Sequence, residues 1–74
     1  MFIDHEEVAR LKKQYPANTR IRLIKMGEDP RPIESGACGT VESVDDIGTI
    51  HVRFDNGRLL GLMTGEDEFQ IINA

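Results

Sequence analysis

Apolar residues recur at Val8, Leu11 and Tyr15, a spacing of three and then four that puts them on one stripe of a helix over residues 4–15. Arg10, Lys12 and Lys13 fall on the wet side near its C-terminal end, where cations complement the helix dipole. Asp4 suits the N-cap, Glu7 stands three residues on as its capping-box partner, and Ile3 and Val8 occupy the two staple positions. Pro16 ends the helix, because the residue before a proline is pushed out of the helical region.

After residue 19 the period drops to two. In Arg20-Ile21-Arg22-Leu23-Ile24 the alternation predicts a strand with Ile21 and Leu23 inward and Arg20 and Arg22 on the other face. Residues 26–37 hold Gly27, Pro30, Pro32 and Gly36, breakers too dense for a helix or a central strand, and read as a long loop. A second strand covers 39–44, a turn 45–48, and a third strand 49–54. In the third, Ile50, Val52 and Phe54 point one way and Thr49, His51 and Arg53 the other. Asn56-Gly57 predicts a type I′ hairpin turn with both residues at positive φ. A fourth strand runs over 58–63, where Gly61 marks a bulge or sharp bend. Residues 64–68 read as a single tight helical turn and 69–72 as a short last strand.

This order describes a mainly β chain with one N-terminal α-helix. Its most economical form is a small five-stranded SH3-like barrel with the helix on one open end; a half-open antiparallel sheet plus helix, an α+β arrangement, is the alternative. No repeat, low-complexity tract or linker divides the chain, so residues 1–74 form a single domain, with the helix in 1–16 and the barrel in 19–74.

Size adds a constraint. A chain of 74 residues hides only about 60% of its unfolded surface on folding, a thin core that leaves room for either a monomer or a weak homodimer. Cys38 is the sole cysteine, which excludes a disulfide framework and gives no sign of an oxidising compartment. No apolar stretch is long enough for a signal peptide or a membrane span, so the expected location is the cytoplasm.

Charge is unevenly placed. Residues 1–32 carry seven Lys and Arg against five Asp and Glu, giving +2, while 33–74 carry two against eight, giving −6. The resulting net charge of −4 disfavours nucleic acid as the default partner, leaving Arg20, Arg22 and Arg53, with Lys25 and Arg31 nearby, as the one basic surface. Aromatic residues make up only 5% of the chain, too few for base stacking or for a Tyr- and Trp-lined groove that docks proline-rich peptides. A peptide can still add a strand to an open edge, or lie between the 26–37 loop and the 45–48 turn.

Two constellations bear on chemistry. Cys38 and His51 are a thiol and an imidazole, but nucleophilic catalysis also needs a hydrogen bond between them, an orienting group and an oxyanion donor. Nothing in their spacing supplies these, so Cys38 reads as a small buried filler and His51 as a solvent-facing cross-strand neighbour. Asp45, Asp46, Asp55, Glu66, Asp67 and Glu68 offer oxygen ligands, yet match no calcium loop and read as turn formers. The expectation is therefore no catalytic residue, no metal and no cofactor.

The run Gly36-Ala37-Cys38-Gly39-Thr40-Val41, followed by Val44-Asp45-Asp46-Ile47-Gly48-Thr49-Ile50-His51-Val52-Arg53-Phe54-Asp55-Asn56-Gly57, resembles an uncharacterised bacterial and phage-borne domain-of-unknown-function family, number 4314. The likeness extends back through Met26, Asp29-Pro30 and Pro32 and forward through Leu62, Gly65 and Asp67-Glu68-Phe69. Phe54 stands where that family has Trp, and Arg31 and Ser35 where an aromatic residue and a proline or glycine are more usual. The Gly-Thr-Val and Val-Arg-Phe-Asp-Asn-Gly segments are also similar, more distantly, to SH3-like barrels that bind peptides. Gly36-x-x-Gly39-x-Val41 is faintly similar to the glycine-valine motif of ribosomal barrels. The resemblance implies a fold and assigns no activity.

The expected function is a non-catalytic interaction module for protein or peptide partners, working through Asp29, Arg31, Asp45 and Asp46 on loops held by a rigid scaffold. The alternative is a weak nucleic-acid-binding barrel that uses Arg20, Arg22 and Arg53.

Overall fold

A computed structural model describes residues 4–72 of the chain: one helix, α1 (His5–Gln14), and five strands, β1 (Arg20–Lys25), β2 (Cys38–Val44), β3 (Ile50–Phe54), β4 (Leu59–Leu62) and β5 (Glu68–Ile71). Asp4 caps α1 as its side chain suggests, with Oδ1 accepting the amides of Glu6 at 3.0 Å and Glu7 at 3.3 Å. Glu7, expected to close a capping box, is ion-paired with Arg10 one turn on. The staple residue Ile3 lies outside the described residues. Val8, Leu11 and Tyr15 are all buried, and the helix stops before Pro16.

The strands form one antiparallel sheet in the order β4-β3-β2-β1-β5. Ile21, Leu23, Val41, Val44, Ile50, Val52, Phe54 and Leu62 make its inner face, covered by Leu11 of α1, by Tyr15 at the helix C-cap and by Ile33 from the 26–37 loop. Tyr15 also packs against Phe69 of β5, ring centroids 5.6 Å apart and tilted by 57°. Gly39, opposite both Ile21 and Phe54, lets the sheet curl tightly there. A Cβ at that position would lie 2.7 Å from Val52 Cγ1 and 2.9 Å from the Arg53 carbonyl oxygen.

Four expectations need correction. The sheet is not closed into a barrel: β4 and β5 are its two edges, and the half-open alternative describes it. Closure would need hydrogen bonds along both strands. The segment between them instead folds on itself, the Met63 carbonyl accepting the amides of Glu66 at 3.2 Å and Asp67 at 2.9 Å, with one bridge between Thr64 and Asp67. That same segment is a tight turn and not a helical one, because Gly65 sits at φ 94° in the left-handed region. The 54–58 hairpin is not type I′, since only Gly57 of the Asn56-Gly57 pair has positive φ, at 91°. The loop has three residues, with the Phe54 amide donating to the Arg58 carbonyl at 2.8 Å and Asn56 Oδ1 accepting the Arg58 amide at 3.0 Å. Gly61 carries no bulge: His51 and Gly61 pair in unbroken register. A Cβ on Gly61 would stand 2.6 Å from Thr49 Cγ2, so what that position needs is room. The register shifts fall instead between Val41 and Ser43 and between Leu23 and Lys25.

Candidate functional site

The open seam of the sheet is bridged by one side chain. Asp67 Oδ1 accepts the amide of Gly27 at 2.8 Å and Oδ2 the amide of Met63 at 2.9 Å, fastening the start of the 26–37 loop to the turn before β5. Gly27 meets this turn so closely that a Cβ would lie 2.9 Å from the Glu66 carbonyl oxygen. Two adjoining grooves of 660 and 510 Å³ run along the junction, one bordered by Lys25 and Glu68, the other by Asp29, Gly61 and Met63. Met26, Gly27, Glu28, Glu66 and Asp67 line both. The carboxylates of Glu28, Asp29, Glu66, Asp67 and Glu68 therefore border this channel beside the one cation of its lining, Lys25.

Of the residues expected to bind a partner, Asp29 lies on this groove, its Oδ1 accepting the amide of Arg31 at 2.8 Å, and the exposed Arg31 follows it along the loop. Asp45 and Asp46 are elsewhere, in the turn that leaves β2, and the groove holding Asp29 is not lined by them. Asp45 Oδ1 accepts the amides of Ile47 at 3.1 Å and Thr49 at 2.9 Å, and Oδ2 lies 2.8 Å from His51 Nε2. The hydrogen bond with His51, then that from Thr49, holds the Asp45 carboxyl below its usual range. Asp46 is bonded to Lys12 Nζ at 2.7 Å, which lowers its carboxyl in the same way and ties the turn to α1. Gly48 completes that junction, with Leu11 and Val8 packed over it.

Arg20, Arg22 and Arg53 do share the outer face of the sheet, because Arg20 and Arg53 are both register partners of Thr40 and Arg22 lies one pleat along. Two of them are neutralised there. Arg20 makes a bidentate pair with Asp55, at 2.7 and 2.8 Å, and a 3.0 Å bond to Thr40 Oγ1, and the Asp55 carboxyl is lowered by the bond from Arg20. Arg53 Nη2 pairs with Glu42 at 2.7 Å. Among the described residues Arg22 has no ion-pair partner.

Cys38 is half-buried at the start of β2, a correction to its expected place in the core, and its Sγ lies 3.8 Å from the Gly36 carbonyl oxygen. The imidazole of His51 is held by Asp45 and faces solvent. Among the described residues no group of three or more His, Cys, Asp or Glu side chains is placed to hold a metal ion, and no helix is long and apolar enough to cross a membrane. Periodicity along the chain does not point to the junction of Gly27 with Asp67. Its partners lie forty residues apart, and its only local trace is a breaker-rich loop start and an acidic turn around Gly65.

The model of the family described as Domain of unknown function (DUF4314) matches residues 4–72. No curated protein and no solved structure matches the chain.

Proposed function

The chain belongs to the DUF4314 family, and from that premise we propose that it is a non-catalytic interaction module. Its working surface is the groove between residues 26–29 and 63–68, and its partner is an extended protein segment rich in lysine or arginine. The observation that carries this reading is the Asp67 bridge. It holds two backbone segments as the fixed walls of a channel whose border is acidic, and a preformed channel orders few groups when a partner arrives. A border of one sign also speeds the encounter with an oppositely charged segment.

Support for a binding role over catalysis comes from the two residues that could have formed a nucleophile and base. His51 stands opposite Ser43, near the far end of β2 from Cys38, whose Sγ lies against the Gly36 carbonyl, so no hydrogen bond joins thiol and imidazole. Of the residues expected at the site, Asp29 and Arg31 stay within or beside the groove, while Asp45 and Asp46 brace the scaffold. The curl of the five strands is in keeping with an SH3-like barrel opened along one seam, and the cytoplasm is the expected setting. The nucleic-acid reading is the weaker one, since Arg20 and Arg53 already have carboxylate partners.

The experiment is fluorescence anisotropy of a labelled lysine-rich peptide against the wild type and the Glu28→Gln, Glu66→Gln double variant. The wild type should bind and the variant bind about threefold to tenfold more weakly, the worth of two exposed ion pairs. Equal affinity for both, or no saturable binding, overturns the proposal.

A further inference from the structure

The free edge of β4 is an uncharged strip. Residues 59–64, Leu-Leu-Gly-Leu-Met-Thr, include no charged residue and no proline, in a chain of which 30% is charged. Edge strands normally carry such residues to prevent pairing, and the opposite edge, β5, begins with Glu68. Because the Phe54 amide donates to the Arg58 carbonyl, the alternation of an antiparallel ladder turns Leu60 and Leu62 toward β3, and turns the backbone groups of Leu59, Gly61 and Met63 outward. Those of Met63 are already used by Glu66 and Asp67. The open groups are then the N–H and C=O of Leu59 and Gly61.

We propose that this edge pairs with the β4 edge of a second copy of the chain, antiparallel and centred on Leu60. That register is the one that matches open groups only with open groups: Leu59 with Gly61 of the second copy and the reverse, four hydrogen bonds about a two-fold axis. Side chains agree with it. Leu59 is 62% exposed on the outer face and would lie beside a glycine that leaves room for it, over the Thr49 methyl. The two Leu60 side chains, already packed against each core, would meet at the axis. Charge agrees as well. Arg58 stands at one end of the strip and the carboxylates of residues 66–68 beyond the other, so antiparallel pairing turns each positive end toward the other copy's negative one. Four hydrogen bonds and a narrow apolar strip make a small interface, which belongs to weak, reversible association.

Sedimentation equilibrium tests this. The wild type should rise from 8.3 kDa toward twice that mass as concentration approaches about 1 mM, whereas Leu59→Lys, a change at an exposed side chain, should stay at 8.3 kDa. A second measurement fixes the register. In a Cys38→Ser background, Leu60→Cys should oxidise to a linked dimer at least about tenfold faster than Leu59→Cys, since only residue 60 faces itself within disulfide reach. Random collision would favour Leu59→Cys, the more exposed thiol. A wild type that stays at 8.3 kDa, a Leu59→Lys variant that associates equally, or faster linkage through residue 59 each overturns the proposal.

Discussion

The carboxylate of Asp67 accepts the backbone amide of Gly27, forty residues earlier, at 2.8 Å, and so joins the two walls of the acidic groove. Its other oxygen takes the Met63 amide, so one side chain satisfies two amides that the unclosed sheet leaves without a ladder partner. Asp67→Ala should cost about 1–3 kcal/mol, through the loss of hydrogen bonds to a charged acceptor. Amide exchange at Gly27 and Met63 should accelerate more than exchange in β2 and β3. Uniform acceleration across the sheet would mean that Asp67 supports the fold as a whole and does not hold the groove.

Gly39→Ala tests the tight curl of the sheet. The added methyl would meet Val52 Cγ1 at 2.7 Å, which can move, and the Arg53 carbonyl at 2.9 Å, which cannot without shifting β3. A loss of about 1–3 kcal/mol by thermal or urea unfolding is expected, the usual range for overpacking. An unchanged midpoint would show that β2 and β3 separate more easily than their register implies.

Acid should weaken the fold through three carboxylates. Asp45, Asp46 and Asp55 are each lowered, chiefly by hydrogen bonds from His51, Lys12 and Arg20 respectively. A carboxyl lowered in the folded state contributes stability that is complete above its unfolded value, about 4, and fades as pH falls through the folded value. The urea midpoint should therefore drop below about pH 4, and Asp55→Asn should show a lower plateau at neutral pH with a shallower acid decline. Parallel declines for variant and wild type would show that the Arg20 pair adds nothing.

Arg20 and Arg22 should behave differently although they alternate on one face of one strand. Arg20→Ala breaks a bidentate pair and a bond to Thr40 and should lower the melting temperature, whereas Arg22→Ala should stay within about 0.5 kcal/mol of the wild type. Neither the wild type nor Arg22→Ala should be retained on immobilised polynucleotide at low salt. Retention that disappears with Arg22→Ala would favour the nucleic-acid reading.

The parts of this structure legible in the sequence are those set by local periodicity. The stripe of Val8, Leu11 and Tyr15 and the alternation of Ile50, Val52 and Phe54 each specify a buried face, because a shift of one residue would expose it. The three-strand order of β2, β3 and β4 follows from short turns that force neighbours to pair. Barrel closure was not legible, since whether β4 and β5 pair depends on how residues 63–67 spend their own hydrogen bonds. Asn56-Gly57 misled on turn type because a three-residue loop asks for left-handed backbone only at Gly57. The groove was legible in part: Asp29 lies on it, but the turn that opposes it is 63–68 and not 45–48, and only tertiary folding brings Gly27 to Asp67.

A two-dimensional amide spectrum of the labelled protein, titrated with a lysine-rich peptide, addresses the groove most directly. Saturable shifts should concentrate at Gly27, Glu28, Asp29, Gly65, Glu66 and Glu68, with Arg20, Arg22 and Arg53 unmoved. Shifts confined to the arginine face or to α1, or none that saturate, would contradict the assignment of the groove as the binding surface.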